Sequence, residues 1–244
     1  MLFRSAENKY NLVLVARRKE KLETLANELS EKYRVKTYIF PFDLSRSGSA
    51  DAVLEFVKGE GINIDTLVNN AGFGDFGDFL ETKWEKEEQM MQLNMITLTH
   101  LTKIFAREMV KNNIKGSILN VASTAAFQPG PLWAVYFATK AYVLSFTEAI
   151  AFEFRSKGIQ VTALCPGPTE SEFGAVANVA SSGLFDSNIP GSRQVAEFGF
   201  KQLMKNKTIA VHGFKNRFLA LFLLRFTPRK MVPWMVYQMS KPKN

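Results

Sequence analysis

Short, nearly continuous apolar runs alternate with helical patterns along this chain, and no other feature of the sequence restricts its fold as strongly. Apolar runs of this kind are typical of strands buried on both faces, and helical crossovers of about a dozen residues join strands in parallel. The alternation therefore predicts an α/β fold in which helices cover both faces of a parallel sheet. Strands are expected at residues 11–16, 35–42, 64–68, 117–121, 159–165 and 208–212. Helices are expected at about residues 19–32, 48–58, 83–112, 131–158 and 194–205, and residues 1–10 look like the closing turns of another helix.

The distribution of charge separates a domain from a tail. The 244 residues are enough for one α/β domain with a substantial core, which we place at residues 1–213. The net charge is +8, yet residues 198–244 hold ten Lys or Arg and no Asp or Glu, which leaves 21 basic and 23 acidic residues before them. That balance in the body disfavours nucleic-acid binding. Residues 214–244 are a basic amphipathic tail that either lies at a membrane surface or packs as helices beside the substrate pocket or a subunit interface.

The cysteine and histidine content excludes two classes of protein. A single cysteine, Cys165, cannot form a disulfide framework and suits a reducing compartment. With His100 and His212 as the only histidines, no cluster of metal ligands is expected. Neither a secretory signal nor an apolar stretch of about 18 residues is visible, so we expect a cytoplasmic protein with at most peripheral membrane contact.

Tyr136 and Lys140 lie four residues apart in an expected helix, so their side chains share one face of it. Lys140 is the only charged residue within residues 131–147. An ammonium near a phenol lowers the phenol pKa from about 10, and such a phenol can exchange a proton with a carbonyl or alcohol oxygen. Ser123, just beyond a predicted strand, can polarise the same oxygen. The alternative is structural, with Tyr136 packed in the core and Lys140 reaching out to water.

Polar residues follow the carboxyl ends of several predicted strands. Ligands of open parallel sheets bind outside these ends, at the point where the strand order reverses. The coincidence predicts a nucleotide site at this edge of the sheet. The residues concerned are Arg17, Arg18, Asp43, Asn69, Asn70, Ser123, Pro166 and Gly167.

With these motifs in this order, the sequence resembles the short-chain dehydrogenase/reductase family. The motifs are Asn-Asn-Ala-Gly at residues 69–72, Ser123 thirteen residues before Tyr136, Tyr136 with Lys140, and Pro166 with Gly167. Asn94 corresponds to an asparagine that the family carries in a helix. The resemblance covers about residues 11–212. It implies a Rossmann-like, doubly wound parallel sheet and hydride transfer between a nicotinamide cofactor and a carbonyl or alcohol.

The resemblance also implies roles for individual residues. Tyr136 would be the general acid/base, and Lys140 would lower its pKa and bond the nicotinamide ribose. Ser123 would hold the substrate oxygen, and Asn94 would anchor a water that links Lys140 to solvent. The implied cofactor site comprises Arg17, Arg18, Asp43, Leu44, Asn70, Ala71, Gly72, Tyr136, Lys140, Pro166, Gly167 and a hydroxyl from Thr169 or Ser171.

Arg17 and Arg18 favour NADP(H) over NAD(H). An acidic residue after this strand would bond a ribose 2′-hydroxyl, whereas arginine accommodates a 2′-phosphate. The guanidinium fork also matches phosphate oxygens in a bidentate way. The alternative is that both arginines are solvated residues opening a helix, although cations there oppose the helix dipole.

The chain departs from the family's pattern before residue 11. The family opens with a strand and a glycine-rich turn that meets the cofactor's pyrophosphate, and residues 1–10 supply neither. The absent strand should lie in the middle of the sheet, so its neighbours are expected to expose unpaired edges. Two explanations are open. Either the functional protein is longer, or this is a truncated, noncatalytic Rossmann-like protein that acts through its basic tail at membranes or partners.

Residues 170–190 are rich in Ala, Ser and Gly with scattered large apolar side chains, which fits a mobile lid over a substrate. Packing of this segment on the core is the alternative. The apolar composition favours a small apolar ketone, aldehyde or secondary alcohol as substrate. Gly72, Gly74 and Gly77 are expected in a loop near the same mouth. Because the family often forms dimers or tetramers, the resemblance also suggests a homo-oligomer.

Overall fold

The computed structural model describes residues 2–177 and 189–241, and within these ranges strands alternate with helices as the sequence predicts. The strands are β1 (Leu12–Ala16), β2 (Thr37–Pro41), β3 (Thr66–Asn69), β4 (Ser117–Val121), β5 (Gln160–Cys165) and β6 (Ile209–Val211). The helices are α1 (Leu2–Glu7), α2 (Lys19–Tyr33), α3 (Ser49–Gly59), α4 (Trp84–Met91), α5 (Leu98–Lys111), α6 (Ala134–Glu153), α7 (Phe173–Val176), α8 (Ser192–Met204), α9 (Phe214–Phe218), α10 (Leu224–Phe226) and α11 (Val232–Ser240). Two π-helical segments, Gln92–Thr97 and Leu219–Leu223, join α4 to α5 and α9 to α10.

The strands form two parallel sheets, and the predicted α/β Rossmann-like architecture is confirmed. β1 pairs with β2 in one sheet, and the second sheet has the order β3-β4-β5-β6. Leu12 lies opposite Thr37 in the first sheet, and Thr66 lies opposite Ser117 in the second. β1 and β3 are not paired with each other, so each presents an edge toward the gap between the sheets. This is the arrangement expected where a central strand is absent.

A cavity of about 1270 Å³ lies between the two unpaired edges. Val13 and Val15 of β1 line one side of it, and Leu67 and Val68 of β3 line the other. Ser5 of α1 also contributes to its wall. β1 and β3 are therefore separated by a cavity and share no strand-to-strand hydrogen bonds.

Alternate side chains of the strands pack into opposite helical layers, as the two-residue period of a strand requires. Leu14 packs with residues of α1 and α2, whereas Val15 packs with residues of α3 and α5. In β4, Ile118 packs with α5 and α6, whereas Leu119 packs with α8. Leu67 of β3 joins the cluster of α3 and α5, so this layer bridges the gap between the two sheets.

The tail turns one apolar side toward the domain. Leu224, Val232 and Val236 belong to the apolar cluster that contains Trp133 and Tyr136. Among the described residues, no helix combines the length and the apolar content that crossing a bilayer requires. The tail therefore borders the surface that carries Tyr136.

Candidate active site

Helix α6 presents Tyr136 and Lys140 from one face, as their spacing predicts. The Lys140 Nζ atom lies 5.8 Å from the centre of the Tyr136 ring and donates a hydrogen bond of 2.8 Å to the carbonyl oxygen of Val121. Only 6% of Lys140 is exposed, so the side chain does not reach out to water as the structural alternative required. The amine is anchored at the end of β4, close to the phenol.

Ser123 lies two residues beyond β4 and connects the ends of two strands. Its Oγ atom accepts a hydrogen bond of 3.1 Å from the backbone N–H of Ala125 and donates one of 3.4 Å to the carbonyl of Pro166, which follows β5. The same side chain lies near enough to Tyr136 to act on the pKa of its hydroxyl. The fold thus brings a serine hydroxyl and a tyrosine hydroxyl to one point.

Burial governs the protonation of the two ionisable groups of the site. Loss of water raises the pKa of Tyr136 to about 12, although the side chain of Ser123 opposes this shift. Burial also lowers the pKa of the Lys140 amine to about 8. The expected lowering of the phenol pKa is therefore wrong for the protein alone, because desolvation penalises a phenolate more than its neighbours stabilise it. At neutral pH the phenol keeps its proton and can donate it.

Asn94 braces the loop opposite Lys140. It lies in the π-helical segment between α4 and α5 and is 1% exposed. Its amide accepts from the N–H of Phe73 at 3.2 Å, donates to the Phe73 carbonyl at 2.9 Å and donates to Thr139 Oγ1 at 3.1 Å. A Cβ atom on Gly72 would lie 2.9 Å from Asn94 Oδ1 and 3.5 Å from Lys140 Nζ, so a side chain there would require Asn94 to shift. The water-anchoring role of Asn94 stays a prediction.

Sequence reasoning missed a buried chain of polar side chains beside the site. Asn69 donates hydrogen bonds of 2.9 Å to both Thr102 of α5 and Asn120 of β4. Asn120 in turn donates to Thr147 of α6 at 3.0 Å. These hydrogen bonds connect α5, the second sheet and α6. They also give each of these buried side chains a hydrogen-bond partner, which buried polar groups require. An asparagine within an otherwise apolar strand was the signal that could have revealed it.

Four of the predicted cofactor residues lie along the cavity between β1 and β3. Arg18, Leu44, Asn70 and Ala71 contribute to its wall, although they come from three separate strand ends. Asp43 lies next to this group in sequence. These four residues therefore border the same cavity, and their cofactor contacts stay a prediction.

Asp43 is held as an anion by its own turn. Burial raises the pKa of its carboxyl. Hydrogen bonds from the side chain and backbone of Ser45, together with the charge of Arg17, outweigh this effect, so the pKa of Asp43 lies below its ordinary value. Those two hydrogen bonds measure 2.7 and 2.9 Å. Arg17 is exposed and acts on Asp43 only through its charge.

Arg18 already holds an anion in this structure. Arg18 and Lys21 both pair with the carboxylate of Glu172, and the Lys21 Nζ atom lies 2.6 Å from it. Hydrogen bonds from Arg18 and Lys21 lower the pKa of Glu172 to about 2, and Glu172 raises the pKa of Arg18. The cluster is solvent-exposed. Arg18 and Lys21 are therefore both paired with one carboxylate at an exposed position.

The turn after β5 holds the two hydroxyls between which the sequence left a choice. Thr169 Oγ1 is half-buried and donates to the carbonyl of Gly167 at 2.9 Å. Ser171 is exposed, and its Oγ atom accepts from the N–H of Phe173 at 3.3 Å. A Cβ atom on Gly167 would lie 2.6 Å from Asn216 Nδ2 of the tail, so the turn and α9 touch closely. Which hydroxyl contacts the cofactor stays a prediction.

Aromatic side chains surround the Tyr136 ring. Its centre lies 5.8 Å from that of Trp133 and 5.4 Å from that of Phe173. A Cβ atom on Gly74 would lie 3.1 Å from Tyr136 Cδ2 and 2.9 Å from Phe173 Cζ, so the glycine loop packs against the phenol. Residues 178–188 of the expected lid lie outside the described residues. Phe173, in the described part of this segment, packs its ring against Tyr136.

Comparison with known proteins places this geometry in a family context. The short chain dehydrogenase family matches residues 2–180. The 7β-hydroxysteroid dehydrogenase of Collinsella aerofaciens is 35% identical over 163 residues, which cover 65% of this chain and 59% of that protein. The 17-beta-hydroxysteroid dehydrogenase type 3 of Mus musculus is 35% identical, with 67% and 53% covered. This chain thus spans about half to three fifths of the length of these curated relatives.

Two solved structures cover most of both chains. A short-chain dehydrogenase from Sphingobium yanoikuyae in complex with NADPH has a TM-score of 0.81 and 28% identity, with 91% of this chain and 87% of that chain covered. A 7β-hydroxysteroid dehydrogenase has a TM-score of 0.83 and 26% identity, with 98% and 90% covered.

Proposed function

This chain belongs to the short chain dehydrogenase family, and on that premise we propose that it is an NADP(H)-dependent oxidoreductase. It would interconvert an apolar ketone or aldehyde and the corresponding alcohol. The observation that carries the proposal is the meeting of Ser123, Tyr136 and Lys140, in which two hydroxyls converge and a buried amine lies close to the phenol.

The residues of the chain divide the proton chemistry among them. When bound, the nicotinamide would supply or accept the hydride. Tyr136, with a pKa of about 12, keeps its proton at neutral pH and gives it to the carbonyl oxygen during reduction. Ser123 donates a hydrogen bond to the same oxygen and so favours the charge that develops there. The Lys140 amine, when protonated, stabilises the phenolate left behind.

Three features of the structure support a cofactor site for NADP(H). Leu44, Asn70 and two other predicted contacts lie along one cavity. Arg18 binds an anionic group already, and Arg17 follows the same strand, so both would hold a 2′-phosphate. Gly72 leaves the space before the Lys140 amine open, and this amine would bond the nicotinamide ribose.

The surroundings of Tyr136 favour a substrate with an apolar body. Trp133, Phe173 and Phe76 form an aromatic wall, and residues of the tail extend it. Relatives with the same family core are named hydroxysteroid dehydrogenases, and a relative from Bos taurus is named very-long-chain 3-oxoacyl-CoA reductase. A steroid nucleus and a very long acyl chain are both apolar, and we propose that the carbonyl group of the substrate is likewise attached to an apolar body.

Replacing Tyr136 by Phe tests the proposal directly. Turnover of an apolar ketone with NADPH should fall by about 10²-fold or more, because the proton donor is lost. The NADPH dissociation constant, measured by fluorescence titration, should change less than about twofold, since one hydroxyl is not a large part of the binding energy. Tyr142→Phe is the matched control, because Tyr142 lies on the same helix and bonds Thr99 at the surface. Retained turnover in Tyr136→Phe would exclude this residue as the donor.

A second candidate is a noncatalytic Rossmann-like protein that acts through its basic tail. The split between the two sheets favours it, because the gap between β1 and β3 lies where the family has the central strand that leads into its pyrophosphate-binding turn. The fluorescence titration with NADPH distinguishes the enzyme from the noncatalytic protein. Absence of NADPH binding by the 244-residue chain would favour the second, whereas saturable binding at micromolar NADPH would favour the enzyme.

A further inference from the structure

A row of exposed phenylalanines runs along the outer side of the tail. Phe214, Phe218, Phe222 and Phe226 are spaced by four residues and are 85%, 54%, 60% and 79% exposed. The rings of Phe218 and Phe222 stack with their centres 6.1 Å apart. Isolated exposed apolar residues are ordinary, but a contiguous row of this kind marks a contact surface. We call this row the phenylalanine ridge.

The helix geometry keeps the phenylalanine ridge in line. Four residues of an α-helix overshoot one full turn by about 40°, so a strict spacing of four would drift around the axis. The π-helical segment Leu219–Leu223 in the middle has more residues per turn and offsets part of this drift. The ring stack of Phe218 on Phe222 shows the resulting alignment.

The opposite side of the same helices is committed to the domain. Ala220 is 8% exposed and packs in a core cluster, and Leu224 packs with Trp133. In α11, Val232 and Val236 fill the same cluster. The phenylalanine ridge therefore stays exposed to solvent. Helix α11 also has exposed aromatic rings, those of Trp234 and Tyr237.

The charge around the ridge identifies the kind of partner. Residues 213–244 contain seven Lys or Arg and no Asp or Glu. Lys215 and Arg217 are exposed between the first rings, and Arg229 and Lys230 are exposed at the turn before α11. A second copy of this face would bring cations against cations, which repel. Apolar rings interleaved with cations instead match the interface of a bilayer with anionic headgroups.

We propose that the phenylalanine ridge and its flanking cations dock this protein on the surface of an anionic lipid bilayer. The helices would lie in the plane of the interface, with rings among the acyl chains and cations among the headgroups. Because the inner side of the tail packs on the cluster around Tyr136, docking would place this side of the domain against the lipid. The proposal does not depend on catalytic activity.

Vesicle binding by the full 244-residue chain tests the proposal. Sedimentation with phosphatidylcholine vesicles that contain about one third phosphatidylserine should recover the protein, and pure phosphatidylcholine vesicles should recover much less. The partition coefficient should fall by about tenfold or more for Phe218→Ser with Phe222→Ser, and similarly for Lys215→Glu with Arg217→Glu. Fluorescence should shift to shorter wavelength on binding, and Trp234→Phe should remove this shift.

The matched control removes two exposed phenylalanines elsewhere, Phe79→Ser with Phe152→Ser, which are 61% and 71% exposed. This control should bind vesicles as the unaltered chain does, and circular dichroism should show that every variant is folded. Equal loss of binding in the control would overturn the proposal, as would failure to bind phosphatidylserine vesicles at low salt. A ridge variant that dissociates a dimer in light scattering without altering vesicle binding would assign the ridge to a second copy instead, and would also overturn it.

Discussion

The buried amine of Lys140 should make the stability of the protein depend on pH in a way that one substitution removes. Burial lowers its pKa from an ordinary 10.5 to about 8. The unfolded chain therefore binds more protons than the folded chain between about pH 8 and 10.5, and the free energy of unfolding rises with pH across this window. One pKa unit corresponds to about 1.4 kcal/mol, so at neutral pH the buried amine costs about 3 kcal/mol.

Lys140→Met keeps an unbranched side chain that is one atom shorter and removes the titrating group. Two other buried groups act in the opposite sense, because burial raises the pKa of both Tyr136 and Cys165 to about 12. Their contribution to stability falls as the pH rises above their ordinary pKa values. The charge of Lys140 lowers the pKa of Cys165, so the variant shares the Cys165 contribution only in part. The difference between the two chains therefore reports Lys140 together with its interaction with Cys165.

Urea unfolding at pH 8 and at pH 10 provides the measurement. On this change of pH the unaltered chain should gain about 2 kcal/mol of unfolding free energy relative to Lys140→Met. Lys103→Met, at an exposed position of α5, should follow the unaltered chain at both pH values. If Lys140→Met and the unaltered chain show the same change between pH 8 and 10, the amine is hydrated and the reasoning from burial is refuted.

Two further substitutions test the contacts around the site. Glu172→Gln should strengthen NADPH binding several-fold without strengthening NADH binding, because it releases Arg18 from an ion pair that solvent screens. An unchanged ratio of the two dissociation constants would contradict this expectation. Gly167→Ala should lower the free energy of unfolding by about 1–3 kcal/mol, because its Cβ atom would lie 2.6 Å from Asn216 Nδ2. Adding Asn216→Ala should recover part of this loss, and purely additive losses in thermal unfolding would speak against the clash.

Local periodicity was enough to predict the elements and part of the site. Continuous apolar runs located β1 to β6 to within about two residues, because a strand buried on both faces tolerates few polar side chains. The spacing of Tyr136 and Lys140 placed both on one face of α6, because a helix brings every fourth residue back to the same side. The absence of a strand before residue 11 correctly indicated unpaired edges on β1 and β3.

Only the tertiary structure decided the energies and the long-range partners. The direction in which the Tyr136 pKa shifts depends on how much water the packed rings exclude. This burial cannot be read from a local sequence pattern. Arg18 meets Glu172 across 154 residues of chain, and Asn69 meets Asn120 across 51, so neither pairing follows from sequence spacing. The exposure of the phenylalanine ridge likewise depends on which side of the tail the domain covers. Periodicity shows that a helix has an apolar side. Whether that side is buried or exposed depends on which other elements of the fold pack against it.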